Sequence, residues 1–195
     1  ALHDRMNATT VYVTHDQLEA MTMSDRIAVM DGGALQQFAP PTEVYKSPAN
    51  RFVAGFIGTP GMTLVDGEIS QENEGWVFRA DGVEMRVGPL IDVAEPGPAC
   101  LGIRPEDVSF GHGGINGTVQ VVEQTGHENI VVLKVSEDLR IIGRAPANHV
   151  WHAGETLSCA FDPEKAHVFA SGPSGCRLNV PSSVESAGAM PVAAT

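Results

Sequence analysis

Basic residues are in short supply in this chain of 195 residues: 12 Lys and Arg face 24 Asp and Glu, for a net charge of −12. A protein that grips nucleic acid needs a basic face, and one that docks on anionic lipid needs a polybasic patch, so neither partner fits. Cysteine is scarce too. Cys100, Cys159 and Cys176 are isolated, odd in number and form no C-x-x-C pair. That pattern argues against a disulfide framework or a zinc site and reads as reduced, mostly buried thiols of a cytoplasmic protein. The N-x-T sequences at Asn7 and Asn116 are then without consequence, because glycosylation requires secretion. No apolar run is long enough to span a bilayer, and no signal-peptide pattern occurs. The dipeptide Gly-Lys is absent, so a phosphate-cradling loop of the form G-x-x-x-x-G-K-[ST] is absent with it; there is no Leu-Ser-Gly-Gly-Gln either.

What is present divides at a turn. A chain of this length buries one good core, or one small domain plus part of another. Residues 1–60 carry six acids and four Lys/Arg, whereas residues 61–195 carry eighteen and eight. The first part mixes helix and strand signals. Residues 1–8 read as the last turns of a helix. Thr9 to His15 is a β-branched and aromatic run, predicted to be a buried strand with a polar cluster at its C-terminal edge. Such edges are where ligands bind in open α/β sheets. A short helix over 16–24 follows, with Asp16 as N-cap and Glu19 placed like the acid of a capping box. Strand 27–30, the turn Asp31-Gly32-Gly33 and a returning arm 34–38 make a hairpin. Pro40-Pro41 opens a helix carrying Val44 and Tyr45. Ser47-Pro48 reads as an N-cap and first helical position, starting a helix whose Phe52, Val53, Phe56 and Ile57 form a core-facing stripe. Gly58-Thr59-Pro60-Gly61 ends it and marks the expected domain boundary.

Beyond residue 61, nine short strands recur between turns: around 65–69, 76–79, 84–87, 99–104, 117–123, 129–135, 140–145, 156–161 and 167–170. Helix signals are absent there, and the pattern indicates a small barrel or sandwich. Leu64-Val65-Asp66-Gly67-Glu68 is read as a strand entering a turn. Residues 181–195, rich in Pro, Ser and Ala, hold too few large apolar groups to fold and are expected to be a tail.

Several segments, in order, carry a resemblance. Val13-Thr14-His15-Asp16-Gln17-Leu18-Glu19-Ala20-Met21-Thr22 and Asp25-Arg26-Ile27-Ala28-Val29-Met30-Asp31-Gly32-Gly33 come first. Pro41-Thr42-Glu43-Val44-Tyr45 and Arg51-Phe52-Val53-Ala54-Gly55-Phe56-Ile57-Gly58 follow, then Leu101-Gly102-Ile103-Arg104-Pro105-Glu106 and Val119-Gln120-Val121-Val122-Glu123-Gln124. Together they resemble the C-terminal part of the ABC-transporter ATPases that serve maltose, other oligosaccharides and glycerol-3-phosphate. The resemblance covers roughly residues 1 to 170. It implies a mixed fold: a remnant of an α/β P-loop ATPase domain (1–60), an all-β OB-like barrel regulatory domain (61–180) and the flexible tail (181–195). It also implies that the intact protein binds ATP and Mg between two copies, hydrolyses the nucleotide and drives membrane permease subunits, so that it sits peripherally on the inner face of the cell membrane. This chain, lacking the phosphate loop and signature motifs, is expected to be inactive alone and to need no cofactor.

His15 is the one candidate catalytic and nucleotide-contacting residue. In the resembled family the matching histidine contacts the γ-phosphate and holds the attacking water in register, and an imidazole suits that task because one nitrogen donates while its neighbours fix the other. Asp16 and Gln17 are read as capping residues of the first turn. Arg104-Pro105-Glu106 is either a ligand-contacting corner or a strand end in which Arg104 pairs with an acid. Gly126-His127-Glu128-Asn129 is read as a polar hairpin, since one His and one Glu are too few for a metal. Trp76, Trp151, Phe78 and Phe161 are read as core or rim aromatics. Two further readings of the barrel stay open. It could sense an oxyanion or a sugar phosphate, if Arg104, Arg140 or Arg144 converge, or contact a regulatory protein; alternatively it is a scaffold that dimerises the ATPase.

Overall fold

A computed structural model describes residues 9–72, 75–91, 93, 95–172 and 175–179. The expected helix end at 1–8 and the tail at 181–195 lie outside the described residues.

The first part is built of short pieces. Helix α1 (Gln17–Met23) starts at Asp16, whose side chain accepts the Leu18 and Glu19 N–H groups. Strands β1 (Ile27–Asp31) and β2 (Ala34–Ala39) pair antiparallel around the two-residue turn at Gly32-Gly33. Helix α2 (Pro41–Lys46) begins with a proline, which is favoured in a first turn because its missing N–H would have no partner there. Helix α3 (Arg51–Phe56) follows. Ile27, Val29, Ala39, Val44, Val53 and Ile57 close into a small core, with Ala20, Met21, Tyr45 and Phe52 packed against it.

Three expectations for this part are corrected. Thr9 to His15 forms no strand: among the described residues nothing pairs with it, and Val11 and Val13 are 88% and 90% exposed. A β-branched run becomes a strand only when neighbours take its backbone hydrogen bonds. The cap of α3 is Asn50 rather than Ser47, because the Asn50 amide oxygen reaches the Val53 N–H while the Ser47 N–H is spent on closing α2 at the Glu43 carbonyl. Phe56 is not core; it is 47% exposed and stacks on Phe52.

The second part holds all nine expected strands: β3 (Thr63–Glu72), β4 (Gly75–Ala80), β5 (Val83–Val87), β6 (Gly97–Ile103), β7 (Val108–Gln124), β8 (Glu128–Lys134), β9 (Arg140–Pro146), β10 (Thr156–Phe161) and β11 (His167–Ala170). They lie in two antiparallel sheets, ordered β11-β6-β3-β4-β5 and β10-β7-β8-β9. Alternation dictates which face is inside: Val131 and Leu133 of β8 and Ile141 of β9 point inward with Phe78, Leu101 and Ile103 from the facing sheet. The Thr63 hydroxyl takes the Ile142 N–H, joining the sheets directly. Phe78 is fully buried, and Trp76, Trp151 and Phe161 line the rim of that core.

Leu64 to Glu68 does not enter a turn. It is mid-strand in β3, and Gly67 is there because β4 passes too close for a side chain: an added methyl would stand 2.3 Å from the Arg79 carbonyl oxygen and 2.6 Å from the Phe78 ring.

Candidate functional site

Three polar side chains organise the approach to His15. Glu19 does not close a capping box. Its carboxylate accepts the Thr14 hydroxyl (2.9 Å) and the Tyr12 hydroxyl (3.2 Å), while the Thr14 oxygen takes the Asp16 N–H (3.0 Å) that a boxed Glu19 would have taken. The same carboxylate raises the Tyr12 phenol above its usual value, through the hydrogen bond first and its charge second. Residues 12–19 are therefore shaped by Thr14, Asp16 and Glu19 without a strand partner. His15 stands exposed at the apex, with no hydrogen bond or ion pair to the described residues.

Gln17 does something the sequence reading missed. Its amide grips the segment after α3 with both ends: Nε2 donates to the Phe56 carbonyl (2.5 Å) and Oε1 accepts the Gly58 N–H (2.8 Å). Its partners lie about forty positions away in sequence, so no local signal could announce them. Gly58 has φ +120°, a left-handed backbone that favours glycine, and a methyl there would crowd the Pro60 carbonyl oxygen (3.0 Å) and Arg104 Nη1 (3.2 Å).

Arg104 holds the same segment from the barrel side. It is 3% exposed, donates from Nη1 to the Ile57 carbonyl (2.6 Å) and from Nη2 to the Tyr45 carbonyl (2.5 Å), and lies 4.0 Å over the Tyr45 ring. The expected acid partner is thus replaced by carbonyls, because α2 and the residue after α3 offer backbone oxygens to the arginine that follows β6. Burial lowers its guanidinium below the ordinary value, with Tyr45, Glu106 and Asp107 opposing. The Tyr45 hydroxyl donates to Glu106 (2.5 Å); burial, then that carboxylate, pushes the phenol up to about 12. Arg144 of β9 adds a third hold, donating to the Thr59 carbonyl (2.7 Å) and pairing with Glu128 (3.1 Å).

Further contacts widen the joint. Arg51 of α3 binds Asp66 of β3 through two nitrogens, at 2.8 and 3.1 Å. Ala54, Met62, Cys100 and Phe169 form an apolar pad between α3 and strands β6 and β11. Residues 175–179 run as a strap, bridging Cys176 to Asn50 and Arg177 to Phe169.

The remaining candidates fall elsewhere. Arg140 is engaged by Gln120 and the Glu137 carbonyl, so Arg104, Arg140 and Arg144 do not converge on a ligand site. Thr125 closes the 126–129 hairpin onto the Glu128 carbonyl, and Asn129, nearly fully buried, donates to the His149 carbonyl. No group of three or more His, Cys, Asp or Glu fit to hold a metal occurs among the described residues. Cys100 and Cys159 are buried, and burial pushes each thiol up to about 11; Cys176 is exposed. A cleft of about 760 Å³ opens between the β4–β5 hairpin and β10, lined by Arg79, Arg86, Met85, Ile115 and Phe161 among others. Its Arg79 is already bound by Glu72 and Glu84.

With this geometry in view, comparison with known proteins is specific. The TOBE domain model matches residues 101–169. Over 184 residues the chain is 39% identical to the maltose/maltodextrin import ATP-binding protein MalK of Photobacterium profundum, covering 90% of this chain and 50% of that protein. Over 178 residues it is 40% identical to the xylose/arabinose import ATP-binding protein XacK of Haloferax volcanii, covering 86% and 45%. The putative uncharacterized ABC transporter ATP-binding protein YcjV of Escherichia coli K12 is 37% identical over 177 residues, covering 86% and 48%. The chain spans about half the length of the curated relatives it matches. Among solved structures, the cytoplasmic molybdate-binding protein ModG superposes with a TM-score of 0.48 at 13% identity, over 55% of this chain and 95% of that one.

Proposed function

The chain corresponds to the C-terminal part of a MalK-like ABC ATP-binding protein with its TOBE domain, and on that premise we propose that the intact protein is the ATP-binding subunit of an ABC importer for a sugar or sugar-phosphate-like solute. Two copies would clasp ATP and Mg and drive a pair of permease subunits. Among the described residues no helix is long and apolar enough to cross a membrane, so attachment to its inner face would run through those subunits. Domains would divide at Gly58–Gly61, into the end of the ATPase domain (1–60), the OB-like regulatory domain (61–180) and the tail (181–195).

The observation that carries this reading is His15: an exposed imidazole without a partner among the described residues, within the segment Val13 to Thr22 that resembles the ABC-transporter ATPases. Its role would be to donate to a γ-phosphate oxygen and hold the attacking water in line, which is positioning and charge stabilisation. The residues described here do not fit a magnesium site or a phosphate cradle; those groups would belong to the rest of the intact protein. A regulatory barrel, rather than an oxyanion sensor, is supported by Arg104 and Arg144 being spent on the segment that Gln17 grips.

In the intact protein, His15→Ala should lower turnover by about two to four orders of magnitude with nucleotide affinity nearly unchanged, since the contact forms mainly in the transition state. Residues 1–195 alone should turn over no ATP. An unaltered turnover number in the variant demotes His15 to a structural residue.

A further inference from the structure

Residues 56–59 are held from two sides at once. From the His15 side, Gln17 takes the Phe56 carbonyl and the Gly58 N–H. From the barrel side, Arg104 takes the Ile57 carbonyl and Arg144 the Thr59 carbonyl. Four successive residues thus each give one backbone group to a side chain, and the holders alternate between the two parts. Gln17 is two positions from His15, in the same turn that Asp16 caps. A shift of this segment by the length of a hydrogen bond therefore cannot leave the apex at 14–17 where it was, unless Gln17 lets go of one end.

We propose that Gln17 is a positioning residue for His15, and that Arg104 and Arg144 of the barrel set its place through the backbone of residues 56–59. The proposal rests on the reading of His15 as the phosphate-contacting residue. A barrel that moves, whether on binding a partner or on meeting a second copy, would pull the histidine into or out of register. Coupling of this kind is reciprocal in free energy: what loosens the barrel grip loosens the histidine turn, and the reverse. It also has a discrete element to act on, because each end of the Gln17 amide is either bonded or not.

Hydrogen exchange on residues 1–195 tests the link without any assay of activity. Arg104→Lys and Arg144→Ala should each speed exchange at the Gly58, Leu18 and Glu19 N–H groups by about tenfold, the worth of one hydrogen bond to a charged donor, although neither arginine touches those groups. The Leu133 N–H, deep in the β8–β9 pairing, is the control for global unfolding. Should Arg104→Lys destabilise the whole fold, Gln17→Ala tests the reverse direction: the Arg104 guanidinium protons should exchange faster while Leu133 stays protected. Unchanged exchange at Leu18 and Glu19 in Arg144→Ala, or unchanged Arg104 protons in Gln17→Ala, overturns the coupling. In the intact protein Gln17→Ala should then lower kcat by about tenfold with KM for ATP unmoved, the signature of a misplaced transition-state contact. An equal rise in KM would overturn the positioning role. If His15→Ala leaves turnover intact while the exchange results hold, the catalytic reading of His15 falls and the linkage stands as a joint between the two parts.

Discussion

Burial strips water from Arg104 and returns two carbonyls and an aromatic face, with no carboxylate in direct contact. The same neighbourhood holds His167, 4% exposed, stacked on Phe169, with Nδ1 lacking a partner among the described residues. Burial first, then the Arg177 and Arg104 cations, pushes this imidazole down to about 3. Its folded value lies below the ordinary 6.5, so the folded state binds fewer protons between those limits. The stability that follows is complete above pH 6.5 and is lost as pH falls toward 3. Between pH 7 and pH 5 His167 should account for about 2 kcal/mol of lost stability, and His167→Gln should flatten that part of the profile. Urea unfolding of both forms across this range measures it; equal slopes refute it.

At the scale of elements, the fit between strands is tight enough to test with one methyl. Gly67→Ala would force carbon against the Arg79 carbonyl of the neighbouring strand. It should cost about 1–3 kcal/mol, the usual toll of overpacking. Gly88→Ala, where an added methyl meets no atom within 4 Å, should stay within about 0.5 kcal/mol. Urea midpoints decide between them, and a neutral Gly67→Ala would mean β4 can give way. The same scale explains what was legible in the sequence. Strands β3 to β11 announce themselves because alternation and turn residues are local signals, even though β3–β6, β6–β11 and β7–β10 pair strands far apart in the chain. Helix α1 announced its cap for the same reason. The run Thr9 to His15 misled because strand formation depends on neighbours that local composition does not report, and Val11 and Val13 stay exposed without them. Asn50 lost to Ser47 as the expected cap because the Pro48 rule says where a helix is allowed to begin and not where its donors find an oxygen. His15 was legible as a motif, yet Gln17 and Arg144 were not, since each acts on a partner far along the chain.

For the whole molecule, exposed apolar side chains are unevenly spread. Val11, Tyr12, Val13, Leu18, Met23, Met30, Leu35, Phe38 and Phe56 all belong to the first part, while the second buries most of its large apolar groups. Single exposed hydrophobes are ordinary, but a concentration of this kind seeks cover. Residues 1–195 should therefore associate through this part, by exchange of the 9–13 run between copies, and residues 61–180 alone should remain folded and monomeric. Light scattering on both tests this. A monomeric 1–195 with a protease-resistant first part would sink the exchange.

The grip on residues 56–59 reads main chain only: it takes three carbonyls and one N–H, and no side chain of that segment except the absence of one at Gly58. An attachment made this way is indifferent to the spelling of the loop it holds. Phe56 and Thr59 are free to drift, provided Gly58, Gln17 and the two arginines are kept. The barrel's own share is two of these groups, the Ile57 and Thr59 carbonyls, so it is in this sense a portable fitting that asks its partner segment for main chain alone.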